Sequence, residues 1–363
     1  MIPRELNSQR LETIGYDTCV TSCGNFLVLD QEVVDNRCTI SGLRVVPLKE
    51  AFSVFPDMRE RLYFNLIRRD MNELTALASR EDPVGYYVYV EPGVKIEEPL
   101  QAAFLFGMTG TTQKIHNIIE LGDGSELNIV NGCTTLNTGD SGTHLGITET
   151  YVGKDAHLGY TMLHNWGDTM EVYPVGAVQV AENGRYISNY VAMTSVKKIV
   201  SCPVAKVLSG GSARFYSIIY AREGSFFDTG SKVVLEGEGS SGEILSRVVS
   251  EGGTVISRQM LTGCVPKTRG HMECSGLLLN DHGVIHSIPE IRGEHPDISL
   301  SHEAAVGRIS DEELSYLRMR GLTEEQSRSL IIRGFLDIKI EGLPDKVKNL
   351  VNDVIERSVS GTL

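Results

Sequence analysis

The chain has 363 residues and a formal net charge of −13, with 47 acidic against 34 basic side chains. That balance disfavours nucleic-acid binding through a basic surface and leaves cationic partners or metal ions as the better-matched ligands. Hydrophobic residues at 41% and charged residues at 22% exclude a disordered chain and supply ample core material; length alone sets a prior of about two domains. The start carries no apolar leader, and no apolar run approaches the ~18 residues of a membrane span, so a cytoplasmic location is expected. Seven cysteines without a leader read as free thiols or ligands rather than a disulfide framework.

Three regions follow in chain order. Residues 1–82 are mixed, with helical spacing from Val45 to Ala78 carried by Phe52, Phe55, Leu62, Leu66 and Leu74. Residues 83–298 read as strand almost throughout, in runs such as Tyr86 to Val90, Glu126 to Val130 and Arg214 to Tyr220. Clusters beginning at Gly122, Gly139, Val152, Glu182, Ser209, Arg222, Gly237 and Ser250 close these runs as turns. Gly210, Gly224 and Gly252 mark evenly spaced late turns, and the cluster at Gly237 falls midway between the last two. Two short strands with their turns per step suit stacked coils. A β-sandwich pair is the second choice.

Residues 299–363 switch to a helical period. Ser310 with Glu313, and Thr323 with Gln326, are two capping boxes. Gly321 and Gly334 are expected to stop the two helices, and Pro344 to open a third that runs to about Arg357.

The densest chemistry lies between Cys264 and Glu303, where Cys274, His271, His282, His286, His295 and His302 join them. Thiolate, imidazole and carboxylate together form a ligand set for iron, zinc or an iron-sulfur cluster. No CxxC pair is present, which argues against structural zinc. Cys19 and Cys23 form a C-x3-C pair that reads as structural. Gly237, Gly239 and Gly242 spell G-x-G-x-x-G, but the following segment is too short and too β-branched to be a nucleotide-binding helix. No phosphate-binding G-x-x-x-x-G-K-[ST] occurs, so ATP energy would come from a partner. By themselves, Cys133 and Trp166 read as a buried thiol and a core indole.

The run Cys274-Ser-Gly-Leu, Pro289-Glu290-Ile291, Ser301-His302-Glu303-Ala304, Asp311 to Leu314, Arg320-Gly321-Leu322 and Gly334-Phe335 resembles the SufB/SufD family, scaffold subunits of the SUF iron-sulfur cluster assembly machinery. The likeness covers about residues 85–363. It implies a mainly β fold, a right-handed parallel β-helix core with a short mixed N-terminal region and a C-terminal helical domain. It implies cluster ligands at Cys274 and Glu303, whose separation matches the SufB branch, with His302 contributed across a subunit interface. It implies sulfur transfer through Cys133, with Asn165 and Trp166 along an internal path. Departures from the family pattern fall at His164, Leu105 and Gly107 and in the missing lysine between Gly167 and Ala177.

The resulting expectation is a non-enzymatic scaffold carrying a transient iron-sulfur cluster, whose type the sequence leaves open, as it does flavin binding. Expected partners are an ABC-type ATPase, a cysteine desulfurase or other sulfur donor, and a second copy in a homodimer, with neither nucleic acid nor membrane. The alternative is a SufD-like structural or iron-handling subunit that assembles no cluster itself. A polysaccharide-cleaving β-helix lacks a certifiable carboxylate pair.

Overall fold

A computed structural model describes residues 8–16, 22–137, 139–337, 349 and 352. In chain order the elements are α1 (Ser8–Glu12), β1 (Gly24–Leu29), β2 (Glu32–Cys38), β3 (Leu43–Pro47), α2 (Leu48–Val54), α3 (Pro56–Leu62) and α4 (Glu73–Ala78). Then come β4 (Tyr86–Val90), β5 (Leu100–Phe106), β6 (Thr111–Leu121), β7 (Glu126–Thr135), β8 (Gly142–Val152), β9 (His157–Asn165) and β10 (Met170–Val180). The series continues through β11 (Arg185–Ala192), β12 (Lys198–Ser201), β13 (Val204–Val207), β14 (Ser212–Arg222), β15 (Phe226–Leu235) and β16 (Ser241–Glu251). It closes with β17 (Thr254–Gly263), β18 (Thr268–Leu278), β19 (Val284–Gly293), β20 (Ile298–Arg308), α5 (Asp311–Met319) and α6 (Glu324–Leu336).

The strands form two facing sheets, ordered β2-β1-β5-β7-β9-β11-β14-β16-β18-β20 and β19-β17-β15-β12-β10-β8-β6-β4-β3. Along the solenoid, strands alternate between the sheets, and each pairs in parallel with the strand one coil later. The result is a parallel β-solenoid of about eight turns. Short alternating runs make this fold because each coil has one apolar row per wall and hides it only between the two sheets. Turns stack as strands do: Gly210 adopts φ +65°, and a side chain there would meet Asn183 Oδ1 of the preceding coil at 2.3 Å.

The two ends of the solenoid differ. At the N-terminal end the β1–β2 hairpin and β3 close the sheets with antiparallel pairs. Phe26, Tyr86 and Phe104 fill the lumen there, with ring centroids 5.5 to 6.4 Å apart. At the other end β19 and β20 are edge strands whose residues are largely exposed. β20 still belongs to the solenoid, and the helices begin only at Asp311.

Helical segments cover two outer faces. The stretch expected to be helical from Val45 to Ala78 is β3 followed by three short helices, which pack on β4, β6 and β8 through Leu48, Leu62, Tyr87 and Ile118. Glu149 of β8 anchors this layer. Wholly buried, it accepts hydrogen bonds from the backbone N–H groups of Phe64, Leu66 and Ile67 at 2.6, 2.7 and 3.1 Å, and His116 Nε2 donates to it at 2.9 Å. Both C-terminal capping boxes form, and Gly321 follows α5 at φ +95°. Gly334 does not stop α6, which runs on to Leu336 because Ile332 and Leu336 bury against the outer face of β11, β14 and β16. Of the helix expected from Pro344, only Asn349 and Asn352 are described residues, both helical; Cys19 lies outside the described residues, and Cys23 is a buried core residue. Gly239 occupies a turn between β15 and β16, so the G-x-G-x-x-G run joins two strands and opens no helix. No helix among the described residues is long and apolar enough to cross a membrane.

Candidate functional site

Parallel, in-register pairing converts strand alternation into continuous rows along the lumen. One inward row reads Asn131, Met162, Tyr190, Ser217, Ser246, Cys274 and Ala304. Its neighbour reads Ile129, Tyr160, Ser188, Phe215, Ile244, Met272 and His302. The facing wall contributes Ser201, Thr229 and Ser257 in one row and Ser231 and Gln259 in the next, with Pro203 also lining the lumen. A lumen cavity of about 90 Å³ lies between the walls, lined by Tyr160, Met162, Tyr190, Ser217, Ser246 and Ser257 among others. With strands ~4.8 Å apart, the five steps from Asn131 to Cys274 span about 24 Å.

Cys274 sits at one end of this row, in the penultimate strand of its sheet. It is buried, and its thiol donates to Ser257 Oγ at 3.5 Å. His302 pairs with Met272, so the register puts it on the inward side of the exposed last strand. Glu303 pairs instead with Glu273, and alternation puts both on the outer face, where Arg247 holds Glu273 at 2.7 Å. The structure thus brings Cys274 and His302 to one face of the terminal coils and sends Glu303 to the other. The histidine-rich stretch disperses: His271 lies 3.0 Å from Ser301 Oγ on the outer face, His286 is in β19 and His282 and His295 are in turns. Among the described residues no three His, Cys, Asp or Glu side chains converge on a point that would hold a metal ion.

Cys133 lies two positions along β7 from Asn131, beside the aromatic plug. It is buried, with Phe104 and His164 as its register neighbours. Asn131 Nδ2 donates to its sulfur at 3.7 Å, and Met162 Sδ lies 4.0 Å away. Burial pushes the thiol well above its ordinary range. Trp166 is buried against His144 and His164, ring centroids 4.8 and 5.7 Å away. Desolvation pushes both histidines down to about 3. Asn165 departs from the expectation of a lumen residue: its amide donates to Thr13 Oγ1 at 2.7 Å on the outer face, because it is one position out of phase with His164. Leu105 is likewise an outer-face residue, buried under Leu11, Ile14 and Tyr16. No motif in the sequence marks Met162, Tyr190, Ser217 or Ser246. The sequence steps between them are unequal, so only the strand register brings them into one row.

These features describe a two-sheet parallel β-solenoid with a narrow, hydroxyl-bearing lumen, a thiol at each end of it and an open edge at one terminus. The profile described as "SUF system FeS cluster assembly, SufBD core domain" matches residues 104–335. An iron-sulfur cluster assembly SufBD family protein of Archaeoglobus fulgidus is 39% identical over 97% of this chain and 95% of its own length. Relatives of the same description from Methanothermobacter thermautotrophicus and Pyrococcus horikoshii are 35% and 31% identical, covering 99% and 88% of this chain and 89% and 72% of their own. The chain belongs to the SufBD family of iron-sulfur cluster assembly proteins.

Proposed function

We propose that this chain is the scaffold on which a nascent iron-sulfur cluster is built as cargo. Sulfur enters at Cys133 from a cysteine desulfurase or another persulfide donor, passes along the lumen and reaches Cys274. A partner ABC-type ATPase, docked on the C-terminal helices, drives opening and release. The observation that carries this reading is the single inward row that leads from Asn131, beside Cys133, through Tyr190, Ser217 and Ser246 to Cys274. Past Met162, the hydroxyls of Tyr190, Ser217 and Ser246, faced by Ser257 and Thr229, line this row without a competing thiol.

The cluster ligands are Cys274, Glu303 and His302, shared across a homodimer joined at β19 and β20. The divergence of His302 and Glu303 to opposite faces supports sharing, because one chain alone does not converge the three. An exposed parallel edge also invites strand pairing with a second copy. A mixed thiolate, carboxylate and imidazole set holds iron less permanently than four thiolates, as a scaffold that gives up its cluster requires.

Complementation tests the shared site. Cys274→Ala and His302→Ala proteins are unfolded together, refolded as a mixture and reconstituted anaerobically with iron and sulfide. Heterodimers regain one intact site, and the visible chromophore returns to part of the wild-type intensity. No recovery, with heterodimers verified by mass spectrometry, rejects the shared interface.

A further inference from the structure

Cys133 and His164 are direct register partners in adjacent parallel strands, β7 and β9, both buried on the inward side. Adjacent strands stand ~4.8 Å apart; the Cys133 thiol is directed at Met162 Sδ, 4.0 Å away, so it is the cysteine side chain, not the held ring, that would turn to bring sulfur and imidazole together. The ring is held from one end: His164 Nδ1 lies 3.1 Å from Tyr190 Oη, and the two rings meet edge to face at 5.1 Å. The other nitrogen, His164 Nε2, is buried and has no hydrogen-bond partner among the described residues. Leaving a buried imidazole nitrogen without a partner costs stability. In the tautomer whose Nδ1–H donates to Tyr190 Oη, Nε2 carries the free lone pair.

We propose that His164 is the proton acceptor that activates Cys133 toward a sulfane-sulfur donor, and that Tyr190 is the positioning residue that fixes its tautomer and angle. This deepens the reading of Cys133 as the sulfur acceptor and rests on it. Cys133 gives its thiol proton to His164 Nε2. The thiolate attacks the terminal sulfur of a donor persulfide, R–S–S–H, and forms a new S–S bond. The donor's S–S bond breaks with its electron pair on R–S⁻, which takes the proton back from the imidazolium. One sulfur atom moves to give Cys133–S–S–H and R–SH, with no net oxidation.

The groups that face this pair are Tyr190 from β11, His144 from β8, Trp166, and Tyr86 and Tyr160 from β4 and β9 beside the thiol. None of them is a permanent charge. Burial disfavours a lone thiolate and a lone imidazolium alike. The pair therefore rests neutral, and its two charges arise together, each stabilising the other, when a donor arrives. That resting state protects a thiol which must wait for sulfur without being oxidised.

The test uses the full-length protein and two probes. Methyl methanethiolsulfonate reads thiolate formation at Cys133 by peptide mass spectrometry across pH 6 to 10, with buried Cys274 as the reference thiol. Cysteine persulfide reads sulfur acceptance at the same residue. His164→Gln is expected to slow Cys133 modification at pH 7 at least tenfold relative to Cys274, with the deficit closing as pH approaches 10. Tyr190→Phe keeps the ring packing and slows it several-fold. Wild-type rates in both variants overturn the proposal, as does equal slowing at every pH. Thiosulfonate results as expected, with no sulfur found on Cys133 from persulfide, leave His164 as its proton acceptor and reject Cys133 as the sulfur acceptor.

Discussion

The Cys274 thiol reaches Ser257 Oγ at 3.5 Å across the lumen, joining the two walls of the solenoid near its open end. The residue that faces solvent at that end in register with Cys274 is Ala304. A small side chain over a buried thiol means that the last strand screens Cys274 without contributing a competing ligand. Exposing the thiol takes only a displacement of β20, an edge strand paired on one side.

Replacing Cys274 with Ser should therefore remove cluster binding without unfolding the coil. The hydroxyl is smaller and keeps a partner in Ser257, so stability should change by no more than about 1–2 kcal/mol. Anaerobic reconstitution should give no sulfur-to-iron absorption in the variant, with the far-ultraviolet dichroism unchanged. A full-intensity chromophore would remove Cys274 from the ligand set.

Glu149→Ala should be among the most destabilising single changes. It strips acceptors from three backbone N–H groups at residues 64, 66 and 67 and from His116. A buried donor left without its acceptor costs about 1–3 kcal/mol, so losing the acceptor of several at once should cost at least about 3 kcal/mol. Urea unfolding measures the loss, and hydrogen exchange should show deprotection of residues 63–67 ahead of the solenoid strands.

Stability should fall in mild acid. His116, His144 and His164 are held below their ordinary 6.5, chiefly by desolvation. The unfolded chain therefore binds more protons than the folded one once pH drops through 6.5. The neutral buried form contributes stability above that pH and loses it progressively toward the depressed folded values, near 3 for His144 and His164. Each such histidine adds a slope of about 1.4 kcal/mol per pH unit in that window. Denaturant midpoints between pH 7.5 and 5 should shift less in His144→Gln than in the wild type.

Gly132→Ala should loosen the N-terminal segment. A Cβ there would stand 2.2 Å from Ile14 O, a backbone atom that yields only if residues 8–16 lift from the sheet. Overpacking of this kind costs about 1–3 kcal/mol. Limited proteolysis should cut near Leu11 to Tyr16 faster, while peptides from β7 and β9 stay protected.

Tyr316→Glu with Met319→Glu should weaken capture of the proposed ATPase partner at least tenfold. These side chains are 53% and 80% exposed on α5, whereas Ile332 and Leu336 of α6 are bound into the fold. Affinity co-purification measures the effect, with an unchanged melting temperature as the control. Undiminished capture would move the docking surface elsewhere.

Features that depend on neighbours a few positions apart were legible in the chain itself. Alternation and evenly spaced turns specified a solenoid, since a strand's buried face is written at positions i and i+2. Ser310 with Glu313, and Thr323 with Gln326, specified two helix starts through contacts within one turn. Cys274 and Glu303 were singled out by their spacing and His302 by the resemblance, all from the chain alone. Which residues of different coils meet is settled only by packing. Coil length changes along the stack: the step from Thr111 to its register partner Gly142 is longer than the step from Ala177 to Val204. Register therefore accumulates differently at each turn and cannot be summed in advance. One position of phase separates His164, beside Cys133 in the lumen, from Asn165, outside against Thr13. The same single step separates His302 from Glu303. Gly334 fell within a helix rather than at its end because the burial of Leu336 against the sheet outweighs the ~1 kcal/mol that glycine costs a helix interior.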